Sequence, residues 1–262
     1  MNYEVIDSPD DPRVADYVGL KGRGEQKDFV IVESPPVVAR LVGSRFKPRS
    51  FLLTPSQISR MEPTVEHFRV PVYVAERSVM EQITGYDVHR GVLASARRAP
   101  QRTLSDLLVP ARRVVVLEGS NDHENIGAVA RSARALGVDA LLLDPTCADP
   151  FARRSIRVSM GELLHLPVFR STTWPDPLDW LTRYGFETWA LTPAPDANSL
   201  YEMGMPERVA LVAGAEGSGL TPATLSRVQY DVRIPMHRGV DSLNLGHALA
   251  IAMAAVAPPV TE

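Results

Sequence analysis

The sequence predicts an α/β protein in two parts, a small N-terminal α/β sandwich and a larger C-terminal domain built on a parallel sheet. Three observations carry this prediction. Short apolar runs alternate with helical segments along the whole chain, the pattern of strands covered by helices. In the second half the runs are continuous, as in Val114-Val-Val-Leu117 and Ala140-Leu-Leu-Leu143, the mark of strands buried on both faces of a parallel sheet. Between the halves, residues 97–102 (Arg-Arg-Ala-Pro-Gln-Arg) break the apolar pattern. The expected organisation is therefore an N-terminal domain over 1–100, a linker over 101–111 and a second domain over 112–262.

Within the first part, residues 29–32 (Phe-Val-Ile-Val) are expected as a strand. A helix is expected over 34–42, with Ser34 as N-cap and prolines in its first turn. Strands follow at 51–53 and 70–74, a short helix at 78–83 closed by Gly85, and a strand at 91–95. In the second part, the strand at 114–117 leads to a helix over 125–136 stopped by Gly137, and a strand at 140–143. Next come an arginine-rich helix at 151–158, the apolar segment 167–169, a helix at 177–184 and a strand at 188–191. Strands at 209–212 and 232–234 flank a helix at 221–227, and an Ala-rich helix over 244–256 follows. No internal repeat or low-complexity tract interrupts this order.

Composition narrows the class. The 262 residues are 45% hydrophobic and 23% charged, which suits an ordinary globular protein rather than a disordered one. Cys147 is the only cysteine, so no internal disulfide can form and a reducing compartment is expected. The start, Met1-Asn-Tyr-Glu-Val-Ile-Asp7, has neither the basic nor the apolar region of a signal peptide, and the apolar stretch 248–258 is too short to span a bilayer. A cytoplasmic protein is expected. A net charge of −3 argues against nonspecific coating of nucleic acid. The cationic residues are nonetheless clustered. Of 28, only Lys21, Lys27 and Lys47 are lysine, and arginines group at Arg97, Arg98 and Arg102, at Arg112 and Arg113, and at Arg153, Arg154 and Arg157. Planar guanidinium groups suit phosphate recognition through paired hydrogen bonds, although a solvated face is the simpler reading of any single cluster.

The most telling segments lie in the last third. Leu211-Val-Ala-Gly-Ala-Glu-Gly-Ser-Gly-Leu220 and Ile234-Pro-Met-His-Arg-Gly-Val-Asp-Ser-Leu-Asn-Leu245 each follow a buried-strand pattern and open into a loop, with Glu216, Ser242 and Asn244 as polar landmarks. Glycines let the main chain approach a ligand closely, so such loops suit a pocket lined by backbone. A third loop, Glu118-Gly-Ser-Asn-Asp-His-Glu-Asn-Ile-Gly127, leads into a helix carrying Asn125, Arg131 and Arg134. In a parallel sheet these loops gather at the carboxyl ends of the strands, where ligands bind. No Gly-x-Gly-x-x-Gly opens a helix and no Gly-Lys-Ser/Thr is present, which disfavours a dinucleotide or a nucleoside triphosphate. His237 and His247 lack a carboxylate or cysteine to complete a ligand set, so no metal is expected.

Taken together, Asn125-Ile-Gly-Ala-Val-Ala-Arg131, Val212-Ala-Gly-Ala-Glu-Gly-Ser-Gly-Leu220 and Ile234-Pro-Met236 with Ser242-Leu-Asn244 resemble, in order, the three motifs of the SpoU (TrmH-like) class of SPOUT RNA methyltransferases. The resemblance runs from Arg112 to the C-terminus. The first part resembles the ribosomal-protein-like RNA-binding sandwich that many members carry, His89-Arg-Gly-Val-Leu-Ala94 matching its end. This resemblance implies a deep trefoil knot in the C-terminal domain, S-adenosylmethionine as methyl donor, a ribose 2′-hydroxyl of RNA as acceptor, and a homodimer. It implies Leu191, Thr192, Gly214, Ile234, Met236 and Leu243 as cofactor-binding residues. Arg131, Asn125, Glu216, Ser242 and Asn244 become the catalytic set, and Arg97, Arg98, Arg134, Arg153, Arg154 and Arg157 candidates for RNA contact. Two departures are visible: Arg238 stands where the family has glycine, and Leu245-Gly246 replaces the common Val-Ser.

The expected reaction makes definite demands. A ribose hydroxyl is a weak nucleophile, so oxygen, carbon and sulfur must be aligned and the hydroxyl proton managed. The resemblance gives Arg131 this second task. A guanidinium stays protonated, so orienting the hydroxyl and stabilising alkoxide charge suits it better than acting as a base, with an RNA phosphate as proton acceptor. Simpler roles stand beside these: Glu216 as a helix cap or loop brace, and Ser242 with Asn244 as a helix N-terminus. The leading expectation is an RNA 2′-O-methyltransferase acting on ribosomal RNA. Its alternatives are a transfer-RNA 2′-O-methyltransferase, a non-catalytic RNA-binding factor with the same fold, and, least favoured, a dinucleotide-dependent enzyme.

Overall fold

The computed structural model describes residues 1–22, 28–237 and 240–258, which fall into two units. The first comprises Met1–Pro100 with Phe151–His165, the second Gln101–Pro150 with Leu166–Glu262.

The chain begins with β1 (Glu4–Ile6), β2 (Phe29–Glu33), α1 (Pro35–Ala39) and β3 (Lys47–Leu53), followed by α2 (Ile58–Val65), β4 (Val72–Ala75), α3 (Arg77–Thr84) and β5 (Val92–Arg97). The five strands form one mixed sheet in the order β1-β4-β3-β5-β2, in which β5 runs antiparallel to β2 and β3. Every residue of β2 and β4 is buried, as the unbroken apolar runs require. On one side of the sheet Ile6, Val14, Tyr17, Leu52, Met80, Ile83 and Leu93 pack into a core. Burying each such side chain contributes roughly 1.5–3 kcal/mol.

Local sequence misleads in a few places. Ser34 makes no side-chain capping bond and sits at φ 84°, so α1 begins at Pro35 and ends at Ala39, short of residue 42. Pro63 lies inside α2, where its missing N–H weakens the helical signal, and the sequence pattern had not predicted that helix. Gly85 does close α3, at φ 77°.

The second unit opens with α4 (Leu104–Leu108), so the expected linker over 101–111 instead carries a helix whose Leu107 and Leu108 belong to this unit's core. Then come β6 (Arg113–Glu118), α5 (His123–Ala135) and β7 (Ala140–Leu143). The arginine-rich helix α6 (Arg153–Val158) belongs with the first unit, packing on β2, although the expected second domain had included it. The second unit resumes with β8 (Val168–Arg170), α7 (Asp176–Arg183), β9 (Glu187–Leu191), β10 (Asn198–Ser199), β11 (Val209–Gly214), α8 (Pro222–Leu225), β12 (Tyr230–Arg233) and α9 (Leu245–Ala255).

Its seven strands are parallel throughout, in the order β10-β12-β9-β11-β6-β7-β8. Central β6 and β11 are buried from Val114 to Leu117 and from Val209 to Ala213. Because the strands are parallel, the loops after β6, β9, β11 and β12 leave from one edge of the sheet. The Ala-rich α9 buries Leu245, Leu249, Ala252 and Met253 on one stripe, packed on α5 and β11. That spacing is the three-and-four alternation of a helix with a single core-facing side. No helix among the described residues is long and apolar enough to cross a membrane. Cys147 is 1% exposed, and burial pushes its thiol up to about 12, as befits a small packed hydrophobe.

Candidate active site

Strand β11 ends at Gly214, and the chain turns back so tightly that Ala215 and Gly219 form an isolated bridge. A side chain at 214 has no room: a Cβ there would lie 2.1 Å from the Gly219 carbonyl carbon. Gly217 and Gly219 take φ values of 88° and 66°, which side-chain-bearing residues avoid. These glycines therefore shape a loop that projects Glu216 and ends where Thr221 caps α8 through the Thr224 N–H.

The segment after β12 meets this loop. Asn244 is the N-cap of α9, its Oδ1 accepting from the N–H groups of Gly246 at 2.9 Å and His247 at 3.3 Å. Its Nδ2 donates to Glu216 Oε1 at 2.7 Å and to Asn125 Oδ1 at 3.2 Å. Glu216 Oε1 also accepts from the Leu245 N–H at 3.2 Å. The carboxylate thus sits at the positive end of α9, where the helix dipole favours an anion. Glu216 braces α9 rather than α8, the helix nearer in sequence. Asn125 lies in the first turn of α5, which starts at His123 behind the N-cap Asp122. Helix approach is close here, since a Cβ on Gly246 would stand 3.5 Å from that of Ala128. Three loops distant in sequence are joined through one amide side chain.

Beside this network lies a cleft of about 670 Å³. Its walls include Leu191, Thr192, Gly214, Ile234, Met236 and Leu243, and Glu216, Ser242 and Asn244 stand among its polar groups. Arg131 is exposed on α5 and does not line it, and Asn125 reaches it only through Asn244. Among the described residues the lining contains two carboxylates, Glu216 and Asp241, and no lysine, arginine or histidine. Sequence reasoning missed Asp241, although its place beside Ser242 was available as a signal. Arg238, in the family's glycine position, lies outside the described residues. No group of three or more potential metal ligands occurs among the described residues.

The arginines named for RNA contact differ in their surroundings. Arg153 donates to Glu33 at 2.6 Å and stacks on Tyr86, its carbon Cζ 4.4 Å from the ring centre, so it is engaged inside the first unit. Arg98 lies over Phe151. Arg97, Arg154 and Arg157 in the first unit and Arg134 on α5 are exposed.

Residues 112–254 match the family model described as the SpoU rRNA Methylase family. The chain is 41% identical over 261 residues to an uncharacterised tRNA/rRNA methyltransferase of Mycobacterium bovis, covering 96% of this chain and 91% of that one. It is 29% identical over 213 residues to the 23S rRNA (guanosine-2′-O-)-methyltransferase RlmB of Salmonella typhi, covering 78% and 87%. Among solved structures, an AdoMet-bound rRNA methyltransferase from Sinorhizobium meliloti superposes with a TM-score of 0.82 at 22% identity over 97% of both chains. That likeness speaks for the fold.

Proposed function

The chain belongs to the SpoU rRNA methylase family, and on that premise we propose that it transfers a methyl group from S-adenosylmethionine to a ribose 2′-oxygen in ribosomal RNA. One observation carries the reading to this site. The Glu216–Asn244–Asn125 network fastens three family motifs together at the lip of a cleft large enough for the donor.

The residues present suit that donor. Loop backbone, freed by Gly214, Gly217 and Gly219, supplies hydrogen-bonding groups for an adenosine, and the two carboxylates of the cleft suit a cationic molecule better than an anionic one. When bound, S-adenosylmethionine supplies an electrophilic methyl group. Leu191, Thr192, Gly214, Ile234, Met236 and Leu243 hold it. Asn244 and Glu216 keep the loops in register, while Ser242 and Asn125 orient the RNA backbone. Arg131 directs the 2′-hydroxyl and stabilises the charge that grows on its oxygen, a form of electrostatic help typically worth two to three orders of magnitude in rate. An RNA phosphate receives the proton.

The same reading extends to the architecture. The C-terminal domain is a trefoil knot, supported by a strand order in which β11 enters between β9 and β6 before the chain returns to β12 outside β9. The protein works as a homodimer in the cytoplasm, with α9 contributing the strip of His247 and Ala254 that faces away from its own core. The first unit grips the RNA, with Arg97, Arg98, Arg154 and Arg157 toward phosphates and Arg153 holding α6 in place; in the second unit, Arg134 on α5 also meets a phosphate. Labelled-methyl transfer to total RNA tests the proposal, comparing the wild-type protein with Arg131→Ala. The wild type incorporates label and the variant falls by roughly 10²–10³-fold. No incorporation above background by the wild type would replace the enzyme with a non-catalytic RNA-binding factor, and equal incorporation above background by both would remove Arg131 from the mechanism.

A further inference from the structure

Glu118 is the last residue of β6, only 5% exposed, and no ion pair joins it among the described residues. A carboxylate in such a place is costly unless hydrogen bonds replace its water. Here four donors replace it. Glu118 Oε1 accepts from Trp174 Nε1 at 2.8 Å, Thr221 Oγ1 at 2.7 Å and Thr224 Oγ1 at 2.9 Å, and Oε2 accepts from the Thr221 N–H at 2.9 Å.

The placement of these bonds is informative. In the strand ladder the register partner of Glu118 is Gly214, where the Glu216 loop begins. Its side chain holds Thr221, where that loop ends. One residue therefore fastens both stems of the loop, through its backbone at one end and its carboxylate at the other. The loop in turn presents Glu216 to Asn244 Nδ2 and the Leu245 N–H. A shift of either stem would move Glu216 relative to the start of α9.

We propose that Glu118 is a positioning residue for methyl transfer, acting through Glu216; this inference rests on the function proposed above. It explains why an acid stands at this buried position. The Trp174 and Thr221 N–H groups can only donate, so a glutamine would have to turn its amide nitrogen toward one of them. An aspartate keeps the charge but is one methylene too short to span Trp174 and Thr221 together.

The test is a double-mutant cycle on the full chain with Glu118→Gln, Glu216→Ala and the pair, reading kcat for methyl transfer, affinity for S-adenosylmethionine and amide hydrogen exchange. Glu118→Gln should lower kcat by about 10- to 100-fold, the range for losing a group that positions a catalytic network. In the Glu216→Ala background the same change should alter kcat less than two-fold, because the residue it positions is already gone. Multiplying losses in the pair, or an unchanged kcat for Glu118→Gln, would overturn the proposal. Exchange at the Thr221 and Leu245 amides supplies a readout independent of turnover: both should accelerate in Glu118→Gln, and unchanged protection at Leu245 would refute the link. Should Glu118→Gln fail to fold, Thr221→Val gives the same comparison in milder form, while Trp174→Phe, which leaves both stems held, should keep kcat within two-fold. If the wild type transfers no methyl group, the enzyme reading falls, and the exchange data alone decide whether Glu118 positions the loop.

Discussion

Replacing Gly214 with alanine tests whether the cleft depends on the close turn that ends β11. The added Cβ would stand 2.1 Å from the Gly219 carbonyl carbon, 2.2 Å from its oxygen and 2.4 Å from the Leu220 nitrogen. Favourable carbon contacts lie near 3.5–4.0 Å, so the overlap exceeds about 1 Å. All three atoms are backbone and cannot rotate aside. The loop must open, carrying Glu216 with it. Overpacking of this kind costs about 1–3 kcal/mol, which corresponds to roughly 5- to 150-fold in affinity if binding bears it. Calorimetric titration of S-adenosylmethionine should show this loss, and thermal melting should fall by roughly 2–4 °C for each kcal/mol expressed in stability. Gly204→Ala is the control, because a Cβ there meets nothing within 4 Å. Wild-type affinity and melting temperature in Gly214→Ala would refute the argument.

Other outcomes follow from the same geometry. Asp241→Asn removes a cleft carboxylate and should weaken S-adenosylmethionine by roughly two- to five-fold, as for an exposed ion pair, while leaving the neutral product S-adenosylhomocysteine within error; parallel titrations check this, and equal losses would deny an electrostatic role. Arg208 donates to the carbonyls of Leu108, Val109, Ala111 and Tyr184 and stacks on Phe186, so Arg208→Met should cost about 2–4 kcal/mol in urea unfolding. The Cys147 thiol is raised by burial from 9.0 to about 12, so the folded state keeps a proton that the unfolded chain releases. Its stabilising contribution is full below pH 9 and lost as pH rises toward 12. Cys147→Ala should flatten the decline of stability in that window, and iodoacetamide at pH 8 should leave the native thiol unmodified.

Much of the architecture is legible in the sequence because burial on both faces leaves an unmistakable trace. Val114-Val-Val-Leu117 and Ala140-Leu-Leu-Leu143 admit few other readings, and both are interior parallel strands with a neighbour on each side. Boundaries and short elements are harder. Helix α2 hides behind Pro63, and α6 packs with the first unit because long-range contacts, absent from any local pattern, decide its place. The candidate site shows the same division. Spacing brings Glu216 and Asn244 under suspicion, but that one carboxylate oxygen serves both Asn244 and the Leu245 N–H appears only once the loops fold together. Glu118 looks like the end of a strand until its four donors converge on it. Arg153 shows the opposite case, a suspected RNA ligand already engaged by Glu33 and Tyr86.

Mapping ribose 2′-O-methylation across cellular RNA, with and without the gene, tests the central claim most directly. The account predicts a ribosomal RNA position that resists alkaline cleavage only when the protein is present, and that loses this resistance when Arg131→Ala replaces the wild type. Identical 2′-O-methylation in both strains, or a missing methyl group that maps to a base rather than a ribose, would contradict it.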